Sequence, residues 1–263
     1  MIEINELSKK IDNQEILKNI NLKLESGKIY GFVGRNGSGK SILLKTICGF
    51  LKPNHGNVII NGVNIYKNGV FPKNTRALID IPNYIPDLTG FENLSLLASI
   101  ENIIGKKEIE QTLKLVNLYE EKDKKFKKYS LGMKQKLGIA QVLMENPDIL
   151  ILDEPFNGLD EISANKIREI LINEKRKNKI ILIATHIKED IENFEDVRSY
   201  LIILEDYELK VGESYEFNYE VEIPSGVDCN KVTYGCHKVN YYLRVDDGSK
   251  LALSVQPNKA GIR

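Results

Sequence analysis

Gly34-Arg35-Asn36-Gly37-Ser38-Gly39-Lys40-Ser41 fits the spacing G-x-x-x-x-G-K-[ST], and its neighbours give it the required setting. Tyr30-Gly31-Phe32-Val33 ahead of it reads as a short buried strand, and residues 41–48 behind it as a helix stopped by Gly49 and Pro53. The glycines let backbone N–H groups curl around a β-phosphate, and the helix N-terminus adds favourable partial charge. Lys40 is expected to reach the β- and γ-phosphates, and the Ser41 hydroxyl to bind Mg²⁺.

A second segment completes the site. Ile149-Leu150-Ile151-Leu152-Asp153-Glu154-Pro155 is an apolar strand that ends in two carboxylates. Open α/β sheets build their sites at the carboxyl ends of buried strands. Asp153 is expected to hold magnesium, through water, and Glu154 to accept hydrogen bonds from the attacking water and polarise it. A lone Asp-Glu pair would read as solubilising. Downstream of a phosphate loop it does not.

Outward from these segments, apolar strands alternate with helices. Ile20-Asn21-Leu22-Lys23-Leu24 has a period of two, Val58-Ile59-Ile60 is a short apolar run, and residues 180–184 form a further buried strand. Helices are expected over 90–100, 108–119, 132–144 and 161–175. This order predicts an α/β fold with a largely parallel sheet covered on both faces. After about Glu205 the pattern changes. Phe217, Tyr219, Val221 and Ile223 alternate with polar residues, and 241–245 and 251–255 flank Asp246-Asp247-Gly248-Ser249-Lys250 as a hairpin. Residues 211–263 therefore read as a small β module following a domain over 1–210.

Composition narrows the function. The 263 residues carry 37 Lys+Arg and 37 Asp+Glu, so there is no basic surplus of the kind that holds a protein on nucleic-acid phosphates. Three cysteines, Cys48, Cys229 and Cys236, make no disulfide framework, which fits a reducing compartment. Cys229, Cys236 and His237 read as free side chains rather than metal ligands, and His55 gets no role. Neither a signal peptide nor a run of roughly 18 apolar residues is visible, so a cytoplasmic chain is expected. Lys122, Lys124, Lys125, Lys127 and Lys128 are interleaved with Glu120, Glu121 and Asp123 and read as a solvated face.

Tyr129-Ser130-Leu131-Gly132-Met133-Lys134-Gln135, just ahead of the Asp-Glu strand, resembles the LSGGQ signature of ABC ATPases. It is closest to the S-L-G-M-x-Q variant of bacitracin-type exporter cassettes. Asn157-Gly158-Leu159-Asp160 resembles the family's D-loop, and Ala184-Thr185-His186 its switch-histidine segment. The resemblance covers about residues 1–210. It implies an ABC-type P-loop fold with an antiparallel β flank and a helical subdomain over about 84–140. It also implies two cassettes packed head to tail, with Ser130 and Gly132 of one binding the γ-phosphate held by the other. His186 would contact that phosphate beside Glu154, and Asp160 would belong to the shared site. Two positions depart from the family pattern. Ile11 stands where an aromatic ring usually stacks on adenine, at a loss of about 1 kcal/mol. Asp80 stands at the Q-loop glutamine, which touches the metal or the attacking water, and exporters of the bacitracin type often carry an acid there.

The resemblance further implies an ATP-hydrolysing transporter subunit that works with ATP, Mg²⁺, a second cassette and separate transmembrane permease subunits. It would sit peripherally on the inner face of the membrane and power export of a peptide, antibiotic or lipid. The docking surface is expected between Asp80 and Leu97, where Tyr84, Ile85, Pro86 and Leu88 are unusually apolar for a loop. The rival reading is a soluble ABC ATPase acting on nucleic acid or ribosomes, but the chain has neither long coiled coils nor a second cassette. A regulatory module that never turns over is opposed by Lys40, Asp153, Glu154 and His186. No phosphate or metal motif lies in 211–263, so a chain truncated at residue 210 should bind ATP with the affinity of the full chain. A folded truncation that cannot bind ATP would contradict this.

Overall fold

The computed structural model describes residues 1–203, apart from 13, 68, 70, 81–82 and 195–199, together with the backbone of 242–244 and 250–252. The chain divides into two compact units, Met1–Leu204 and Glu205–Arg263. In the second, Tyr242–Arg244 and Lys250–Ala252 pair as an antiparallel hairpin, as the sequence led us to expect. The alternating stretch at 217–223, together with Cys229, Cys236 and His237, lies outside the described residues.

The first unit contains two sheets. Strands β1 (Ile2–Ile11), β2 (Gln14–Leu24), β4 (His55–Ile60) and β5 (Val63–Asn64) form an antiparallel sheet in the order β2-β1-β4-β5. Strands β6 (Thr75–Leu78), β7 (Ile149–Asp153), β8 (Ile180–Thr185), β3 (Lys28–Val33) and β9 (Tyr200–Ile203) lie parallel in that order. β7 and β8 are aliphatic along nearly their whole length and almost wholly buried, as expected for a parallel strand covered on both faces. Helix α1 (Lys40–Ile47) packs on β7 and β8, and α5 (Glu161–Arg176) and α6 (Glu189–Glu192) also pack on β8. On α5, Ala164, Ile167, Ile170, Leu171 and Glu174 are buried at helical spacing, so its apolar stripe faces the sheet. Between β6 and β7 stand α2 (Gly90–Glu101), α3 (Lys106–Leu115) and α4 (Leu131–Leu143), whose inner faces join the same core.

The register sets where chemistry can occur. Val33 pairs with Thr185, and Asp153 with Ala184, so β3, β7 and β8 end at one edge of the sheet. The phosphate loop, the two carboxylates and the Thr185-His186 turn all leave from that edge.

Three readings need correcting. The helix expected over 108–119 ends at Leu115, because Asn117 adopts a left-handed φ of 53° and a single 3₁₀ turn follows at Tyr119–Glu121. Strands β1 and β6 were not expected. β1 carries register shifts between Ile4 and Leu7 and a left-handed Glu6 (φ 49°), which break its alternation, and β6 is a four-residue edge strand. Tyr84 does not belong to an exposed loop. It is buried, its hydroxyl donates to Gln141 Oε1 at 2.6 Å, and its ring meets Phe126 edge-on at 5.0 Å. The lysine cluster is a solvated face, with Lys122, Lys124 and Lys127 paired to Asp123, Glu121 and Asp87.

Gly31 in β3 faces Ile191 of α6, and a Cβ at Gly31 would stand 2.7 Å from that side chain. Gly31→Ala should therefore push α6 off the sheet and cost about 1–3 kcal/mol, lowering the melting temperature by roughly 5 °C. Differential scanning calorimetry checks this.

Candidate active site

At the end of β3 the backbone turns through Gly37 (φ 88°) and Gly39 (φ 95°), a conformation a side chain would resist. Gly39 is the residue before α1, and at this position a Cβ would also crowd Ile16 at 3.0 Å. The loop is tied to the sheet by Gly34 N–H donating to Thr185 O (3.3 Å) and closed by Ser38 N–H donating to Arg35 O (3.1 Å). Lys40 lies inside the curl, donating from Nζ to Gly34 O at 2.6 Å and Arg35 O at 2.9 Å. Burial pushes its ammonium pKa down, opposed by the negative charges of Glu154 and Asp153. A cation desolvated in this way is poised to exchange carbonyl partners for phosphate oxygens.

Opposite the loop, Ser41 Oγ donates to Asp153 Oδ2 at 2.5 Å, while Asp153 Oδ1 is buried with no hydrogen-bond partner. Burial raises the Asp153 pKa, and Glu154 and Asp80 add to the rise, against the Ser41 hydrogen bond and Lys40. An orphaned carboxylate oxygen beside a hydroxyl, in a pocket that disfavours its charge, fits a hard divalent cation such as Mg²⁺.

Glu154 holds a left-handed backbone (φ 49°), at a strain of about 1–3 kcal/mol. Its N–H donates to Ala184 O at 2.8 Å and its carbonyl accepts from Gln135 Nε2 at 3.0 Å, which fixes the backbone. The carboxylate is fixed as well. Oε1 lies 2.9 Å from His186 Nδ1 and Oε2 lies 3.3 Å from Thr185 Oγ1.

A cleft of about 740 Å³ opens among these groups. Of the residues expected from sequence, it gathers Ile11, Asn36, Gly37, Gly39, Lys40, Ser41, Asp80, Asp153 and Glu154. Gly34, Arg35 and Ser38 support the loop from outside the cleft. Asp80 is largely exposed and paired with Lys45 Nζ at 2.7 Å, drawn back toward α1. Ser130, Gly132 and Asp160 do not line this chain's cleft. Ser130 Oγ caps α4 by accepting Met133 N–H (3.2 Å), and Asp160 Oδ1 caps α5 by accepting Ser163 N–H (2.7 Å). Gly132 lies close against the Gly158 carbonyl, where a Cβ would stand at 2.9 Å. Sequence reasoning missed Gln14, Ile16 and Asn157 as lining residues, and Gln135 as the anchor of Glu154. Gln135 lay within the quoted signature segment and Asn157 within the quoted D-loop segment, whereas Gln14 and Ile16 carried no motif signal.

The ABC transporter family matches residues 17–157. The chain belongs to that family. An uncharacterised ABC transporter ATP-binding protein of Bacillus subtilis (strain 168), YybJ, is 40% identical over 197 residues, 75% of this chain and 90% of that protein. The bacitracin transport ATP-binding protein BcrA of Enterococcus faecalis is 40% identical over 200 residues, 75% of this chain but 65% of the relative. Among solved structures, an ATP-binding subunit of an ABC transporter superposes with a TM-score of 0.66 at 28% identity, covering 74% of this chain and 82% of that one. A dimeric cassette in a post-hydrolysis state with ADP and Pi bound gives 0.65 at 26% identity, covering 72% and 90%. This ABC cassette binds ATP and is the ATPase subunit of a transporter. Lys40→Ala should weaken ATP binding at least about tenfold, because a desolvated charge aimed at the phosphates is lost. Equilibrium titration with nucleotide measures it.

Proposed function

We propose that this cassette hydrolyses ATP to drive export through separate transmembrane subunits, with Glu154 as the group that takes the proton from water. The placement of Glu154 carries the reading. Its carboxylate ends a buried strand across the cleft from Lys40, restrained on one oxygen by His186 and on the other by Thr185. In this reading the phosphate loop, Lys40 and the N-terminus of α1 bind the β- and γ-phosphates, and Ile11 packs against the adenine. His186 contacts the γ-phosphate and keeps the attacking water beside Glu154, which accepts its proton as the oxygen attacks phosphorus.

Mg²⁺ would be held by Ser41 and Asp153, with Asp80 engaging through water after leaving Lys45. When bound it neutralises charge developing on the phosphate oxygens. Ser130 and Gly132 would reach the γ-phosphate only from a second cassette, at the N-terminus of α4, with Asp160 in the same interface. Being capped and lying outside this chain's cleft is consistent with that role. The partners are thus a second ABC ATPase subunit and a transmembrane permease, with no nucleic acid. The cassette would occupy residues 1–210, with its helical subdomain over about 84–140, and 211–263 would be an assembly or regulatory β module. Among the described residues no helix is long and apolar enough to cross a membrane. Peripheral attachment on the cytoplasmic face would come from docking around Asp80 to Leu97, where Ile85 and Leu96 are about half exposed. The bacitracin and lantibiotic transport names of relatives favour a peptide-like or antibiotic cargo.

Glu154→Gln tests the reading. The amide fills the same space but cannot accept the proton, so ATP should bind normally while turnover falls by about 10²-fold or more. The trapped ATP-bound chain should form dimers in sedimentation and bring a multi-span protein from solubilised membranes. Hydrolysis at the native rate would remove Glu154 from the role.

A further inference from the structure

Behind Glu154 lies a buried polar chain that reaches to the far side of β8. Arg168 of α5 and Asp190 of α6 are each 8% exposed, and Thr185 is fully buried between Asp190 and Glu154. Arg168 Nη2 donates to Asp190 Oδ1 at 3.1 Å, and Thr185 Oγ1 lies 3.0 Å from Asp190 Oδ2 and 3.3 Å from Glu154 Oε2. The Ile187 N–H donates to the same Thr185 oxygen at 3.1 Å, so the hydroxyl's own hydrogen must point at one of the two carboxylates. Arg168 is locked in turn. Nη1 donates to Asn165 Oδ1 at 2.8 Å, and its Cζ stands 4.7 Å from the centre of the Phe156 ring, two residues beyond Glu154.

A buried ion pair is a poor way to gain stability, since desolvating both charges offsets their attraction and an apolar pair often does as well. Burial pushes the Asp190 carboxyl up, as does the charge of Glu154, while Thr185 and Arg168 hold it down. Such an arrangement calls for a reason beyond packing, and its one outlet is the Glu154 carboxylate.

We infer that Arg168, Asp190 and Thr185 are positioning residues that hold the Glu154 carboxylate in line with the attacking water. Arg168 satisfies Asp190 through Oδ1, which leaves the single Thr185 hydrogen to Glu154 Oε2, and that hydrogen bond with His186 on Oε1 leaves Glu154 one orientation. None of the three touches the nucleotide cleft, so their loss acts on turnover rather than on ATP binding. The inference rests on the reading of Glu154 as the proton acceptor.

The test is a double-mutant cycle in the full chain with Mg-ATP, reading kcat, ATP affinity and melting temperature for each variant. Thr185→Val removes the hydroxyl at nearly constant shape, and Asp190→Ala removes the carboxylate between Arg168 and Thr185. Each should lower kcat about tenfold with ATP affinity unchanged, and the double variant should lose about tenfold, not a hundredfold. Thr185→Ser, which keeps the hydroxyl, should restore most of the turnover that Thr185→Val loses. Additive losses would overturn the inference. So would a Thr185→Ser chain as impaired as Thr185→Val, or kcat losses matched by equal losses in ATP affinity. If Asp190→Ala fails to fold, the comparison of Val with Ser at Thr185 still decides, and native turnover in Thr185→Val would sink the proposal. Glu154→Gln separates the two readings. Full activity there removes Glu154 itself, whereas an inactive Glu154→Gln beside fully active Thr185→Val and Asp190→Ala chains removes only the network.

Discussion

β3, β7 and β8 are locked in parallel register, with Val33 against Thr185 and Asp153 against Ala184. The end of β8 lies between those of β7 and β3, so the residues that follow these strands leave the sheet one or two strand spacings, about 5 to 10 Å, from one another. Gly34 is bonded directly to Thr185, and Glu154 to Ala184, by backbone hydrogen bonds that extend the ladder past its last regular pair. The buried aliphatic strands hold that register, because a slip of one residue would turn every inward side chain to the wrong face. The phosphate loop and the two carboxylates proposed as metal ligand and proton acceptor therefore share one edge without any loop needing to be long.

The charges at that edge are kept under tension. Lys40 is desolvated yet faces two carboxylates, and Asp153 is desolvated with one oxygen unpaired. Lys40 is bonded to carbonyls rather than to an anion, and in the proposed reading a magnesium–nucleotide complex would bring phosphate oxygens to Lys40 and a cation to Asp153. Asp80 is instead paired with Lys45.

The helices between β6 and β7 show how the apolar surface is divided. Leu94, Ala98, Ile109, Leu113 and Leu137 face the core, while Leu96, Ile100 and Ile103 are half exposed or more. The polar anchors between these layers are specific. Asn93 bonds the loop backbone at Ile85, and Arg76 of β6 bridges Glu101 and Glu145 at the ends of α2 and α4. Strand β6, which leads into Asp80, is thereby tied to the helical layer as well as to the sheet.

The sequence by itself determined the parts whose signal is local. The phosphate loop was legible because glycines at 34, 37 and 39 and Lys40-Ser41 follow a buried strand. The Asp153-Glu154 strand end, the α/β order and the family were legible in the same way. Helix ends at Asn117, the irregular strand β1 and the short edge strand β6 were not, because left-handed residues, bulges and edge pairing depend on neighbours far along the chain. Only the tertiary structure decided that Tyr84 turns inward to Gln141, that Gln135 anchors Glu154, and that Arg168 and Asp190 stand behind Thr185. Apart from Thr185 and Asp190, which are five positions apart, those contacts join residues 19 to 57 positions apart in sequence. A short-range pattern cannot encode them, because the packing of helices on the sheet chooses which buried polar groups meet.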